Sequence, residues 1–135
     1  MSGVDDVPLV LVVDDYPDNR EMITELLGLV GLRVVEARDG VEALERAVAL
    51  RPSLVLLDVA LPRVDGWEVA RRLRADPGLR GTRILVVTGD TRVDVLARAR
   101  SAGCDGVVTK PFAPEALLAT VNAWVGAARL DPLEP

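Results

Sequence analysis

Asp14 and Asp15 directly follow the apolar run LVLVV, and Asp58 directly follows SLVLL. Thr88 closes ILVVT, and Thr109-Lys110 closes GVVTK. Of the 16 basic residues, Lys110 alone is a lysine; the others are arginine. Crowded carboxylates repel, and a hard divalent cation relieves that repulsion. Magnesium takes oxygen ligands, keeps several waters, and often binds one or two carboxylates together with a phosphoryl oxygen. A carboxylate can also attack phosphorus to form an acyl phosphate. The transferring group then needs cationic and hydrogen-bonding partners for its oxygens. Thr88 offers a hydroxyl, and Lys110 a compact point charge on a reaching stem, which the broader arginine does not supply.

Each residue alone has a plainer reading. Asp14-Asp15 suits an ordinary turn that opens a helix. Thr88 at a strand end is commonplace, and a chain biased toward arginine will contain a stray lysine. Asp58 is harder to dismiss, because an unpaired carboxylate at the end of a buried strand costs several kcal/mol or takes up a proton. The functional reading gains from all five residues falling at strand ends on one rim. In an open parallel sheet, ligands bind beyond the carboxyl ends of the strands, near a topological switch point.

The elements that must position these residues are readable. Short β-favouring runs cover residues 9–13, 33–37, 54–57, 84–87 and 106–108. Stretches of helical period lie between and after them, at 19–30, 41–50, 67–75, 92–102 and 114–125. In the first, Met22, Ile23, Leu26, Leu27 and Val30 share one side; in the second, Val41, Leu44 and Val48, with Ala47, are expected to face inward. Val69, Ala70 and Leu73 do so in the third. Asp65-Gly66 suits a helix cap, Gly103 a helix stop, Pro114 a first helical turn, and Asp76-Pro77-Gly78 a turn. Five β–α units with nearly all-apolar strands predict an α/β fold, a doubly wound parallel sheet covered on both faces.

The bulk numbers agree with one such domain. The chain has 135 residues, half of them apolar and 27% charged, which excludes a disordered class. Aromatics are only 3%, so Val, Leu and Ala must fill the core. A net charge of −5 argues against general nucleic-acid binding. The absence of histidine excludes His acid–base chemistry, His metal sites and Ser-His-Asp triads within the chain. A single cysteine, Cys104, fits a reducing compartment, so the cytoplasm is expected. Asp5 and Asp6 stand where a secretory leader carries positive charge, and no apolar run approaches bilayer length, so neither a leader nor a membrane span is expected.

Four segments in this order and spacing, LVVDD at 11–15, LLDVALPRVDGWE at 56–68, VVTGD at 86–90 and TKPF at 109–112, resemble the receiver domain of two-component response regulators. The resemblance spans residues 8–126, with an extension at 1–7 and a tail at 127–135. It implies a flavodoxin-like (βα)₅ fold with strand order 2-1-3-4-5. It implies that Asp58 accepts the phosphoryl group, that Asp15 ligates magnesium directly, and that Asp14 does so partly through water. The Ala60 carbonyl would complete the metal site, Thr88 would be the switch hydroxyl, and Lys110 would bond the phosphoryl group. Pro111 resembles the family's cis proline.

Several positions depart from the family pattern. Val107 stands where many members carry an aromatic switch residue, Leu61 where Met is common, and Gly89 where Ala is frequent. Ala60 and Asp90 occupy positions that tune dephosphorylation. The implied donor is a phosphohistidine on a sensor histidine kinase or histidine phosphotransfer protein, and the implied output is a change in the surface of the fourth helix, fifth strand and fifth helix. The downstream target is unreadable. Homodimerisation through that surface is left open, and no direct DNA binding is expected. Arg92, Arg98 and Arg100 read as a solvated helix face. Three rivals stand beside this reading. One is a magnesium-dependent aspartyl phosphatase, which lacks its usual Asp-x-Asp and lid here. Another is a phosphorylation-independent interaction module. The third is a flavin-binding relative, for which residues 14–20 lack a Gly/Ser/Thr-rich phosphate cradle.

Overall fold

A computed structural model describes residues 7–60, 65–89 and 94–130, with side chains to 125. Leu61, Asp90 and Arg92 lie outside the described residues, as do 1–6 and the end of the tail from 131. Strands β1 (Leu9–Val13), β2 (Arg33–Ala37), β3 (Leu54–Asp58), β4 (Arg83–Thr88) and β5 (Gly106–Thr109) form one parallel sheet in the order β2-β1-β3-β4-β5. Helices α1 (Pro17–Leu29), α2 (Gly40–Leu50), α3 (Gly66–Ala75), α4 (Asp94–Ser101) and α5 (Pro114–Leu130) follow the strands in turn. The expected flavodoxin-like (βα)₅ arrangement is therefore the observed one. Among the described residues, no helix is long and apolar enough to cross a membrane.

The strands are apolar on both sides because both faces are covered. Leu11, Val13, Val55, Leu57, Ile84 and Val86 pack on one face with α2, α3 and α4. Val10, Val12, Leu54, Leu56, Leu85 and Val87 pack on the other with α1 and α5. Each such side chain contributes about 1.5–3 kcal/mol on removal from water. The core is built from Val, Leu, Ile and Ala, as the shortage of aromatics requires.

Local chemistry sets the helix ends. Pro17 opens α1 and Pro114 opens α5, where their missing N–H costs nothing. Asp39 caps α2 by accepting from the Glu42 amide at 2.9 Å, and Asp65 caps α3 by accepting from the Trp67 amide at 3.1 Å. Gly31 and Gly103 follow α1 and α4 with φ of 87° and 89°, the left-handed conformation glycine adopts without strain. Asp76 accepts from Gly78 N in the expected turn, which forms a short 3₁₀ helix.

Two expectations need correction. Met22 on α1 and Val30 just after it are 40% and 45% exposed, while Ile23 and Leu27 carry the contact. On α2 the buried stripe is Gly40, Ala43 and Ala47, and Val41 and Val48 are 52% and 53% exposed. The helix is rotated by about one residue, so small alanines meet the sheet and allow close approach. Arg98 and Arg100 are exposed, as expected of a solvated face; in addition the Arg98 guanidinium lies 4.9 Å from the centre of the Trp67 ring and its Nη2 3.9 Å from Asp65 Oδ2. The pair joins α4 to the start of α3.

Candidate functional site

The parallel sheet brings the carboxyl ends of β1, β3, β4 and β5 to one rim. The β1 ladder with β2 ends at Val13 opposite Ala37, leaving Asp14 and Asp15 just beyond. Asp58 is the last residue of β3 and lies opposite Val87, one residue before Thr88. Thr88 in turn lies opposite Thr109, so Lys110 is the first residue beyond β5. Register alone thus collects all the candidate residues except Ala60, which follows two residues after Asp58.

Carboxylate oxygens of Asp14, Asp15 and Asp58 all lie within 4.8 Å of one another. Asp14 and Asp58 are buried, at 3% and 5% exposure, and Asp15 is exposed. Lys110 Nζ donates to Asp58 Oδ2 at 2.9 Å, and the Ala60 amide donates to Oδ1 at 2.9 Å. The buried carboxylate thereby has the partners its burial demands. Asp14 accepts from the Tyr16 amide at 2.9 Å. Burial pushes the Asp14 carboxyl above its ordinary 3.8; the Tyr16 amide opposes this, the neighbouring Asp58 charge adds to it, Lys110 offsets it, and Asp15 adds further. The Lys110 amide donates to the Thr88 carbonyl at 2.8 Å, which fixes where the lysine leaves the sheet. The Thr88 side chain is buried at the same rim. The Lys110–Pro111 peptide is cis.

The donor set suits a hard divalent cation. All three acids offer oxygen, and the Lys110 ammonium is bonded to one of them, Asp58. Asp15, facing water, suits an ion that keeps part of its hydration. Beside the acids lies a cavity of about 490 Å³ lined by Asp14 and Lys110 and by Met22, Ile23, Pro111 and Phe112.

Two residues shape this rim in ways the sequence did not signal. Gly66 opens α3 so close to the strand end that a β-carbon there would lie 2.4 Å from Val59 Cα. Arg20 on α1 donates from Nη1 to the Asp14 carbonyl at 2.9 Å. The Asp-Gly pair signalled a cap but not the close approach, and nothing in the sequence tied Arg20 to Asp14. Val107, at the unusual position on β5, is partly buried and packs with the α2–α4 face.

Comparison with known proteins supplies independent findings. The family model of the response regulator receiver domain matches residues 10–122. The polar-differentiation response regulator DivK of Brucella anthropi is 32% identical over 119 residues, covering 88% of this chain and 97% of that protein. The DNA-binding dual master transcriptional regulator RpaA of Synechocystis is 35% identical over 117 residues, covering 87% of this chain and 48% of that protein. The chain thus spans about half the length of several curated relatives that it matches. The structure of the chemotaxis response regulator CheY4 of Vibrio cholerae superposes with a TM-score of 0.83 at 33% identity, covering 87% of this chain and 98% of that one.

Proposed function

The chain belongs to the response regulator receiver domain family, and on that footing we propose that it is a phospho-accepting switch in which Asp58 takes a phosphoryl group from a partner's phosphohistidine. Family membership supports the phospho-accepting signalling role. The observation that carries the residue assignment is the Asp58 carboxylate, buried at a strand end with one oxygen on Lys110 and the other on the Ala60 amide.

In this reading an Asp58 oxygen attacks phosphorus in line with the donor's P–N bond. The O–P bond forms as the P–N bond breaks, and the imidazole leaves with the bonding pair and is protonated from water. The histidine belongs to a histidine kinase or a phosphotransfer protein, which accords with its absence from this sequence. Asp14, Asp15, Asp58 and the Ala60 carbonyl are the groups that would hold magnesium. Bound there, magnesium supplies neutralisation of the charge that crowds onto the carboxylate and phosphoryl oxygens. Lys110 is already at Asp58 and exchanges its carboxylate partner for a phosphoryl oxygen. Thr88 turns its hydroxyl toward the same group. The cavity beside Asp14 and Lys110 gives the donor's apolar surface a seat near the reacting atoms.

The output follows from charge placed at the rim. Drawing Thr88 and Lys110 inward moves the ends of β4 and β5, and with them the surface of α4, β5 and α5, as a local charge event biases a two-state element. Val107 is too small to act as a swinging aromatic, so the switch here rests on the backbone and on α4. The domain proper is proposed to run from residue 8 to 126.

Incubation with acetyl phosphate and Mg²⁺ followed by intact mass tests the assignment. One added phosphoryl group is expected, absent in Asp58→Ala and absent with chelator. A chain that takes up none from acetyl phosphate or from a phosphorylated histidine donor is instead an interaction module. Repeated turnover of the donor without a trapped adduct would favour the phosphatase reading.

A further inference from the structure

Arg20 is largely buried, with its side chain 16% exposed, although it projects from the first turns of a surface helix. Its Nε donates to Glu36 Oε1 at 2.8 Å, and its Nη1 to the Asp14 carbonyl at 2.9 Å. Glu36 belongs to β2, and its own carbonyl accepts from Arg46 Nη1 on α2. The next residue, Ala37, accepts from the Asp14 amide at 3.1 Å. Asp14 therefore has its N–H held by β2 and its C=O held by an arginine that β2 aims.

That carbonyl belongs to the peptide joining Asp14 to Asp15. The β1 ladder has ended, so no strand partner remains to orient it. Rotation of this peptide would carry the Asp15 Cα, and hence its carboxylate, away from Asp14 and Asp58. Arginine suits the task because its planar fork presents two donors at a fixed angle, one for the carboxylate that aims it and one for the carbonyl it restrains. Tyr16 N, on the Asp14 carboxylate, completes the restraint from the other side.

We infer that Arg20, aimed by Glu36, is a positioning residue that sets the Asp14–Asp15 peptide so that the two carboxylates meet Asp58 as one cation site. The inference rests on the reading that these acids hold magnesium. Arg20 contributes no ligand atom; it acts through the main chain of residues that do. Outer partners of metal ligands typically cost about 10–100-fold in affinity when removed.

Isothermal titration of the full chain with MgCl₂ alone tests this, with thermal melts on the same samples. Arg20→Gln is expected to weaken Mg²⁺ binding about tenfold or more. Glu36→Gln, which leaves Arg20 present but unaimed, is expected to weaken it less. Arg20→Lys should fall between wild type and Arg20→Gln, because one ammonium cannot span both acceptors. Val121→Ala, a core truncation on α5 remote in sequence from the rim, should lower the melting temperature and leave Mg²⁺ affinity unchanged. Affinity for Arg20→Gln within about twofold of wild type overturns the inference. If Arg20→Gln fails to fold, unchanged affinity in both Glu36→Gln and Arg20→Lys overturns it. A wild-type chain that binds no Mg²⁺ overturns the metal reading itself, and shows this before any variant is made.

Discussion

Lys110 and Cys104 show how much a single side chain's surroundings decide. Lys110 reaches Asp58 Oδ2 at 2.9 Å from a point fixed by its own amide on the Thr88 carbonyl. A guanidinium starting from the same point is wider and must place two or more donors where one is accepted. Lys110→Arg should therefore slow phosphoryl acceptance from acetyl phosphate by about tenfold despite retaining the charge; an unaltered time course by intact mass would make the lone lysine an accident of composition. Cys104 is buried beside Asp105, and burial, with that charge, pushes its thiol from an ordinary 9.0 to about 11. The unfolded thiol loses its proton near 9.0 while the folded one keeps it to about 11, so the unfolded chain binds fewer protons between those values and stability falls as pH rises. Cys104→Ala should lessen this alkaline loss by about 1–3 kcal/mol between pH 8 and 11, read from urea melts of both proteins. Below pH 8 the native thiol should resist disulfide reagents that modify it freely in urea.

At the scale of elements, the segment after β3 is held by close contact. The β-carbon of an alanine at 66 would meet Val59 Cα at 2.4 Å and its carbonyl oxygen at 2.7 Å, and both atoms are backbone. Gly66→Ala must push α3 from the strand end or shift Val59, the residue next to Asp58. A loss of about 1–3 kcal/mol in urea melts is expected, together with slower phosphoryl acceptance measured well below the melting temperature. The Arg98–Trp67 stack and the Asp65 ion pair join α4 to this same segment. They provide contact between the region after Asp58 and the helix whose surface is proposed to change, at a position independent of Val107.

Over the whole molecule, Arg74 ties several segments together at the end of the sheet opposite the acids. Arg74 at the end of α3 donates to the carbonyls of Gly103, Leu79, Arg80 and Thr82 and to Asp105 Oδ2. Asp105 in turn accepts from the Ile84 amide at 2.8 Å. This clamp joins α3, the 3₁₀ turn and the starts of β4 and β5, far along the strands from Asp58. Arg74→Met should cost about 2–4 kcal/mol and lower the melting temperature by about 10 °C, yet leave phosphoryl acceptance at 20 °C within about twofold. A large loss of acceptance without a loss of stability would show that the two ends of the sheet are coupled. The five strands, their parallel pairing and the rim residues were legible from sequence because apolar runs, their period and their end residues are local properties of the chain. The strand order came from the resemblance of four spaced motifs, not from periodicity. The burial of Ala43 in place of Val41 and Val48 on α2, the approach of Gly66 to Val59, the aim of Arg20 and the reach of Arg74 were not legible. Each depends on the distance between elements, which is set by packing two faces of one sheet at once.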